Sequence, residues 1–297
     1  MIYTCTTNPS LDYYLTIDKL KLGKSNRSDF EMFTSGGKGV NVSIVLNNFH
    51  IQSCCLGFLG GFTKDFYLAH ISNYPNIQPL FTTINDNTRI NIKLMDNQYE
   101  TSLNAKGPNI TLDEFEKFKN RLSHIYKGDL FVLSGNIENE IKQGIIDVIH
   151  DLSHDGVKIV LDTDYDVIEK CLDVKPFMIK LNDYLLSDCK EELDIFSKKL
   201  IDNGTTYVMY SNASKPSYLY SKDEILTCKN LADSLVNTTG SSDSLVAGFI
   251  YGHIRGADTV ECFKYANAAS LATTIENDLG SKEKIEELFN TIEVEKI

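Results

Sequence analysis

Short runs of β-branched and apolar residues alternate along most of the chain with longer stretches in which apolar residues recur three and four positions apart. The short runs, at 2–6, 54–59, 130–133, 158–161, 177–180 and 207–210, read as strands. The longer stretches, at 40–48, 112–122, 138–152, 191–201, 244–251, 259–275 and 282–289, read as helices. Such an alternation predicts an α/β protein, a three-layer sandwich with a mostly parallel central sheet and helices on both faces.

Two segments break the rhythm. Residues 11–34 carry Tyr13, Tyr14, Leu15, Thr16 and Ile17 and then a polar stretch, with no helical period. Residues 88–103 alternate through Arg89, Ile90, Asn91, Ile92, Lys93 and Leu94, turn at Asp96-Asn97 and return. Both predict strands outside the main alternation, and together they form a small β-sheet lying as a lid over the mouth of the main sheet. No Pro-, Gly- or Ser-rich linker divides the chain, so residues 1–297 are expected to form one domain with the lid as an outgrowth.

Composition narrows the classes of function. With 29 basic and 41 acidic side chains the formal charge is −12, which argues against a protein that neutralises a nucleic acid backbone. The apolar stretch near 245–254 is interrupted by Gly248, Gly252 and His253 and is shorter than the ~20 residues of a membrane span. The start lacks the pattern of a secretory signal, and the expectation is a cytoplasmic protein. Seven scattered cysteines without C-x-x-C spacing read as buried thiols, and the six histidines show no metal-ligand spacing.

Candidate chemistry gathers in two glycine-bearing turns. In Ser35-Gly36-Gly37-Lys38-Gly39-Val40-Asn41, three glycines in four residues before an apolar helix let backbone amides approach a ligand, and Lys38 adds a full positive charge. The alternative is a tight strand-to-helix turn; a Walker A loop is excluded because Gly39 stands where Ser or Thr is required. In Asn237-Thr238-Thr239-Gly240-Ser241-Ser242-Asp243-Ser244, small residues open a buried helix and a carboxylate stands within the turn. Phosphoryl transfer needs that pair of functions, an anion hole and a proton acceptor. The alternative is an N-cap in which Ser241 or Ser242 caps and Asp243 favours the helix dipole. Asp162-Thr163-Asp164 follows an apolar strand and reads as an acidic loop, since the residues after it do not fit an aspartyl-phosphate hydrolase. Asp12 follows Asn8-Pro9-Ser10-Leu11 at the end of the first strand, where open sheets place ligands, and Arg89 and Lys93 share one face of a lid strand.

In this order the parts resemble the ribokinase-type (PfkB) sugar kinases: Asn-Pro-x-x-Asp ending at Asp12, the Gly-Gly-Lys-Gly-x-Asn loop, Thr88-Arg89-Ile90-Asn91-Ile92-Lys93-Leu94, Ser134-Gly135, and a late Gly-x-x-Asp-Ser before a helix. The likeness runs from residue 2 to about residue 279, and the 88–94 strand points to the branch acting on fructose 1-phosphate, with tagatose-6-phosphate kinases next. The resemblance implies an ATP- and magnesium-dependent kinase making fructose 1,6-bisphosphate. Asp243 would be the base, and residues 240–243, with Gly240, Ser241 and Ser242, would form the anion hole. It implies sugar contacts from Asp12, Gly36, Gly37 and Asn41, phosphate contacts from Lys38 and Arg89, and nucleotide contacts from Asn182, Ser211, Gly240 and Asn267. It also implies a homodimer joined through the lids.

Several positions depart from the family pattern. Its Asn-x-x-Glu is Asn182-Asp183-Tyr184-Leu185, its Ser-x-Gly-x-x-Gly is Ser211-Asn212-Ala213-Ser214-Lys215-Pro216, its Gly-Ala-Gly-Asp is Gly240-Ser241-Ser242-Asp243, and its Ser-Leu-Pro is Asn136-Ile137-Glu138. These changes cluster on the ATP side, where Asp183 offers a substitute acid that faces a different direction, so a sugar-phosphate-binding homologue of weakened catalysis stands beside the kinase reading.

Overall fold

The computed structural model describes residues 1–97, 99–212, 215–229 and 239–297. Its elements begin β1 (Ile2–Thr6), β2 (Ser10–Thr16), β3 (Phe30–Gly36), α1 (Lys38–Asn48), β4 (Ser53–Gly60), α2 (Gly61–Ile71), β5 (Ile77–Pro79), β6 (Thr82–Ile84), β7 (Arg89–Met95) and β8 (Glu100–Leu103). They continue with α3 (Leu112–Arg121), β9 (Leu130–Ser134), α4 (Asn139–His154), β10 (Lys158–Asp162), α5 (Tyr165–Lys170), β11 (Met178–Leu181), α6 (Asp183–Cys189) and α7 (Leu193–Asp202). The last are β12 (Tyr207–Asn212), β13 (Lys215–Tyr220), β14 (Ile225–Cys228), α8 (Ser241–Ile254), α9 (Thr259–Ile275), α10 (Lys282–Phe289) and β15 (Val294–Lys296).

The expected α/β sandwich is present. The main sheet runs β15-β14-β13-β12-β11-β10-β9-β1-β4-β5, with β6 also on β4, and it is parallel from β12 to β5. Central strands are covered on both faces, and every residue of β1, β4 and β9 is accordingly buried, most of them apolar. One face packs on α3, α4, α5 and α7 through residues such as Phe118, Ile145, Val167 and Leu200. The other packs on α1, α8, α9 and α10 through Val45, Phe249, Phe263 and Ile285. Strand order reverses beside β1, whose neighbours are β4 and β9, and this switch point puts a crevice at the carboxyl ends of the strands.

The two segments outside the alternation form a separate four-stranded sheet, β3-β2-β7-β8. Register places Asp12, Thr34 and Asn91 side by side, with Tyr14, Met32 and Lys93 next along the same face.

The sequence pattern does not disclose α2, because its large apolar residues Phe62 and Phe66 point outward, 74% and 48% exposed. Nor does it disclose β13–β15, an antiparallel extension beyond the alternating units. Among the described residues, no helix is long and apolar enough to cross a membrane.

Candidate active site

The ends of β1, β2 and β7 and the first turns of α1 and α8 surround a cavity of about 660 Å³ lined by Asp12, Lys38, Asn41, Arg89, Gly240 and Asp243 among others. Asp12 is buried on β2, and its Oδ1 accepts hydrogen bonds from Ser10 Oγ at 2.7 Å and Asn91 Nδ2 at 2.9 Å. These two donors fix the carboxylate at the cavity wall. Gly36 ends β3 against it. A Cβ there would lie 2.5 Å from Asp12 Oδ2 and 2.7 Å from Ser10 Oγ, so only glycine lets β3 pass this close. Gly37 precedes α1 with no side chain capping the helix, and Lys38 follows as its first residue.

Arg89 reaches from the lid to the body, donating from Nη1 to the Ala105 carbonyl at 3.1 Å and from Nη2 to the Asn8 carbonyl at 2.9 Å. Its charge borders the cavity while these donors tie lid to core. Asn41, one turn into α1, donates from Nδ2 to Asp243 Oδ2 at 2.8 Å.

Gly240, at φ 80°, opens α8 with no side-chain cap. The N-cap alternative for Ser241 or Ser242 therefore fails: glycine holds the cap position because it adopts positive φ without strain, and both serines lie inside the first helical turn. The positive end of α8 faces the cavity. Asp243 sits in that turn, 4% exposed. Burial, then the Asp162 charge, push its carboxyl up to about 6, against Lys38, Asn41 and Lys180, which pull it down. Such a carboxyl is ionised at neutral pH yet basic enough to take a proton.

On the nucleotide side, Ser211 and Asn267 line one small cavity with Asn212, Lys215 and Ser217, and Asn267 Oδ1 accepts from Ser217 Oγ at 2.5 Å. Asn182 caps α6, accepting from the Leu185 amide at 2.9 Å. Asp183 accepts from Tyr210, Asn212 and, at 3.1 Å, Lys215, so it fastens α6 to the β12–β13 hairpin. Leu185, where the family pattern has glutamate, is 3% exposed in the core. With Leu185 buried and Asp183 spent on three donors, these residues do not fit a protein-held magnesium ion, and among the described residues no cluster of three metal-ligating side chains occurs. Asp183, the substitute acid of the sequence reading, thus points to the β12–β13 hairpin. Ala213, Ser214, Asn237 and Thr238 lie outside the described residues.

Sequence reasoning missed Asn91 as the partner of Asp12, and it missed Lys180 and Asp162. Lys180, 2% exposed at the end of β11, donates to Ser242 Oγ. Asp162, read as part of an acidic loop, is the buried last residue of β10. The available signal was position: both stand at carboxyl ends of parallel strands, where sheets of this class hold ligands.

An open sheet beside a small second sheet, with a fixed carboxylate and a cation on one side of the cavity and a buried carboxyl at a glycine-opened helix on the other, suits a small-molecule phosphotransferase. The chain belongs to the pfkB family of carbohydrate kinases, whose family model matches residues 10–284. It is 31% identical to the 1-phosphofructokinase of Bacillus subtilis over 100% of both chains. It is 30% identical to a tagatose-6-phosphate kinase of Staphylococcus epidermidis, over 99% of each. The fold matches Escherichia coli phosphofructokinase-2 solved with substrates and products, at a TM-score of 0.91, 19% identity and 98% coverage of both chains.

Proposed function

We propose that this chain transfers the γ-phosphoryl group of ATP to D-fructose 1-phosphate, yielding fructose 1,6-bisphosphate and ADP. The observation that carries the reading is Asp243, buried at the positive end of α8, oriented by Asn41 and facing the cavity that holds Asp12 and Lys38. The acceptor hydroxyl attacks the γ-phosphorus, its proton passes to Asp243, and the bond to the β,γ-bridging oxygen breaks, so that ADP leaves with the electron pair. Amides of 240–243 and Lys180, through Ser242, stand where charge develops on the phosphoryl group. Asp12 holds acceptor hydroxyls and Lys38 and Arg89 face its phosphate. Ser211 and Asn267 receive the nucleotide, with Asn182 beside them, and magnesium enters as the ion carried by ATP. The lid excludes water from the reacting groups.

A substrate panel tests this. With magnesium-ATP, fructose 1-phosphate is expected to give a higher kcat/KM than tagatose 6-phosphate or fructose 6-phosphate. Preference for tagatose 6-phosphate would favour the second reading, which the Staphylococcus epidermidis likeness supports. Calorimetric binding of sugar phosphate without turnover would show a binding homologue instead.

We also infer a homodimer joined through the lid. The lid face turned away from the cavity carries Tyr13, Leu15, Phe33, Ile92, Leu94 and Leu103, with Phe33 stacked on Tyr13 at 4.0 Å and Leu103 58% exposed. An apolar face of this kind is what a second copy would cover. Light scattering at assay concentration is expected to give twice the 33.4 kDa chain mass, and a monomer would refute the pairing.

A further inference from the structure

Asp162 is 2% exposed, and a single oxygen of it faces two cations. Its Oδ1 lies 3.3 Å from Lys38 Nζ, at the first turn of α1, and 3.8 Å from Lys180 Nζ, at the end of β11. Its Oδ2 is buried without a hydrogen-bond partner. Keeping a carboxylate in such a place carries a desolvation cost that imperfect ion pairs do not fully return, and an apolar residue would close the strand at least as well. The charge therefore has a purpose other than stability.

Its two partners diverge. Lys38 is 38% exposed and opens on the acceptor cavity, whereas Lys180 is enclosed and donates to Ser242 in the turn that holds Asp243. We propose that Asp162 is a positioning residue for phosphoryl transfer, aiming Lys38 at the acceptor side and Lys180 at the transferred-phosphoryl side of the reacting centre and keeping both from collapsing onto Asp243.

The charges facing Asp243 bear this out. Lys38 from α1 and Lys180 from β11 lower its basicity, Asn41 from α1 does the same by donating to it, and Asp162 from β10 raises it. Asp162 itself is pushed up by burial, but Lys180 and then Lys38 outweigh that and hold it ionised. By sharing the two ammonium groups, Asp162 leaves Asp243 able to accept a proton while the cations remain in place for the phosphates.

The proposal rests on Asp243 as the base, and its test separates the two. In the 297-residue chain, Asp162→Asn is expected to lower kcat about 10–100-fold and to move the acid limb of the kcat/KM profile to lower pH by about one unit, since a repelling charge is gone and both lysines turn on Asp243. Asp162→Glu keeps the charge and is expected to keep the limb near its wild-type place. Lys180→Met, which removes a cation instead, is expected to lower kcat and move the limb to higher pH. This pair of opposite displacements is not produced by a loss of packing, and the lysine variant answers the question even if the asparagine variant fails to fold. Limbs that stay put in both variants, or a kcat within about twofold of wild type in Asp162→Asn, would overturn the proposal. Should Asp243→Asn keep the wild-type rate, the base assignment fails instead.

Discussion

Asp243→Asn is expected to lower kcat by about 10²–10⁴-fold while sugar-phosphate binding, read by calorimetry, changes little. Asparagine has the same shape and stays in contact with Asn41, but it takes no proton from the attacking hydroxyl. The same residue sets the pH dependence. Asp243 must be ionised to act, so wild-type kcat/KM is expected to fall as pH drops through about 6. The stability effect has the opposite sense. A carboxyl whose folded pKa is raised above 3.8 favours the fold most fully at low pH, and that contribution is lost as pH rises through about 6. At pH 8 the buried charge is a burden, so Asp243→Asn is expected to melt at a higher temperature than wild type despite its lowered kcat. A variant within tenfold of the wild-type rate would remove Asp243 from the mechanism.

Much of this architecture was legible because backbone periods are local. The α/β alternation, the two lid segments and both glycine turns each follow from residues near one another in sequence, and β1, α9 and α10 fall at their expected bounds. What stayed hidden depends on contacts across the sheet. Asp162 and Lys180 are each unremarkable beside their own neighbours, and only the parallel pairing of β10 with β11 brings them under α8. The two outward phenylalanines of α2 defeat the apolar pattern, and the side-chain partners of Asp183 come from a hairpin 27 to 32 residues away. The glycines at 36 and 240 could be seen as turns, but the reasons for them, a carboxylate 2.5 Å from a Cβ and a helix opening at positive φ, required the fold.

The net charge of −12 makes the acceptor's phosphate the harder ligand to hold, and this puts the second large effect on Lys38. Arg89 already spends two guanidinium nitrogens on carbonyls and Lys93 donates to Ser102 at 3.0 Å, whereas Lys38 is held by the buried Asp162 and opens on the cavity. Asp162, its largest influence, raises the Lys38 pKa and keeps it protonated across the working pH range. Lys38→Met is therefore expected to raise KM for fructose 1-phosphate about 10–100-fold, the usual worth of one charge-assisted hydrogen bond, with KM for ATP changed less than about threefold. The comparison that isolates the phosphate is unphosphorylated fructose: its weak turnover should suffer far less, because it offers Lys38 no anion. Equal losses on both acceptors would mean that Lys38 serves the transferred phosphoryl group, and a rise confined to KM for ATP would move it to the nucleotide side. Neither is expected from a side chain that lines the cavity of Asp12 and Arg89 and not the one of Ser211 and Asn267.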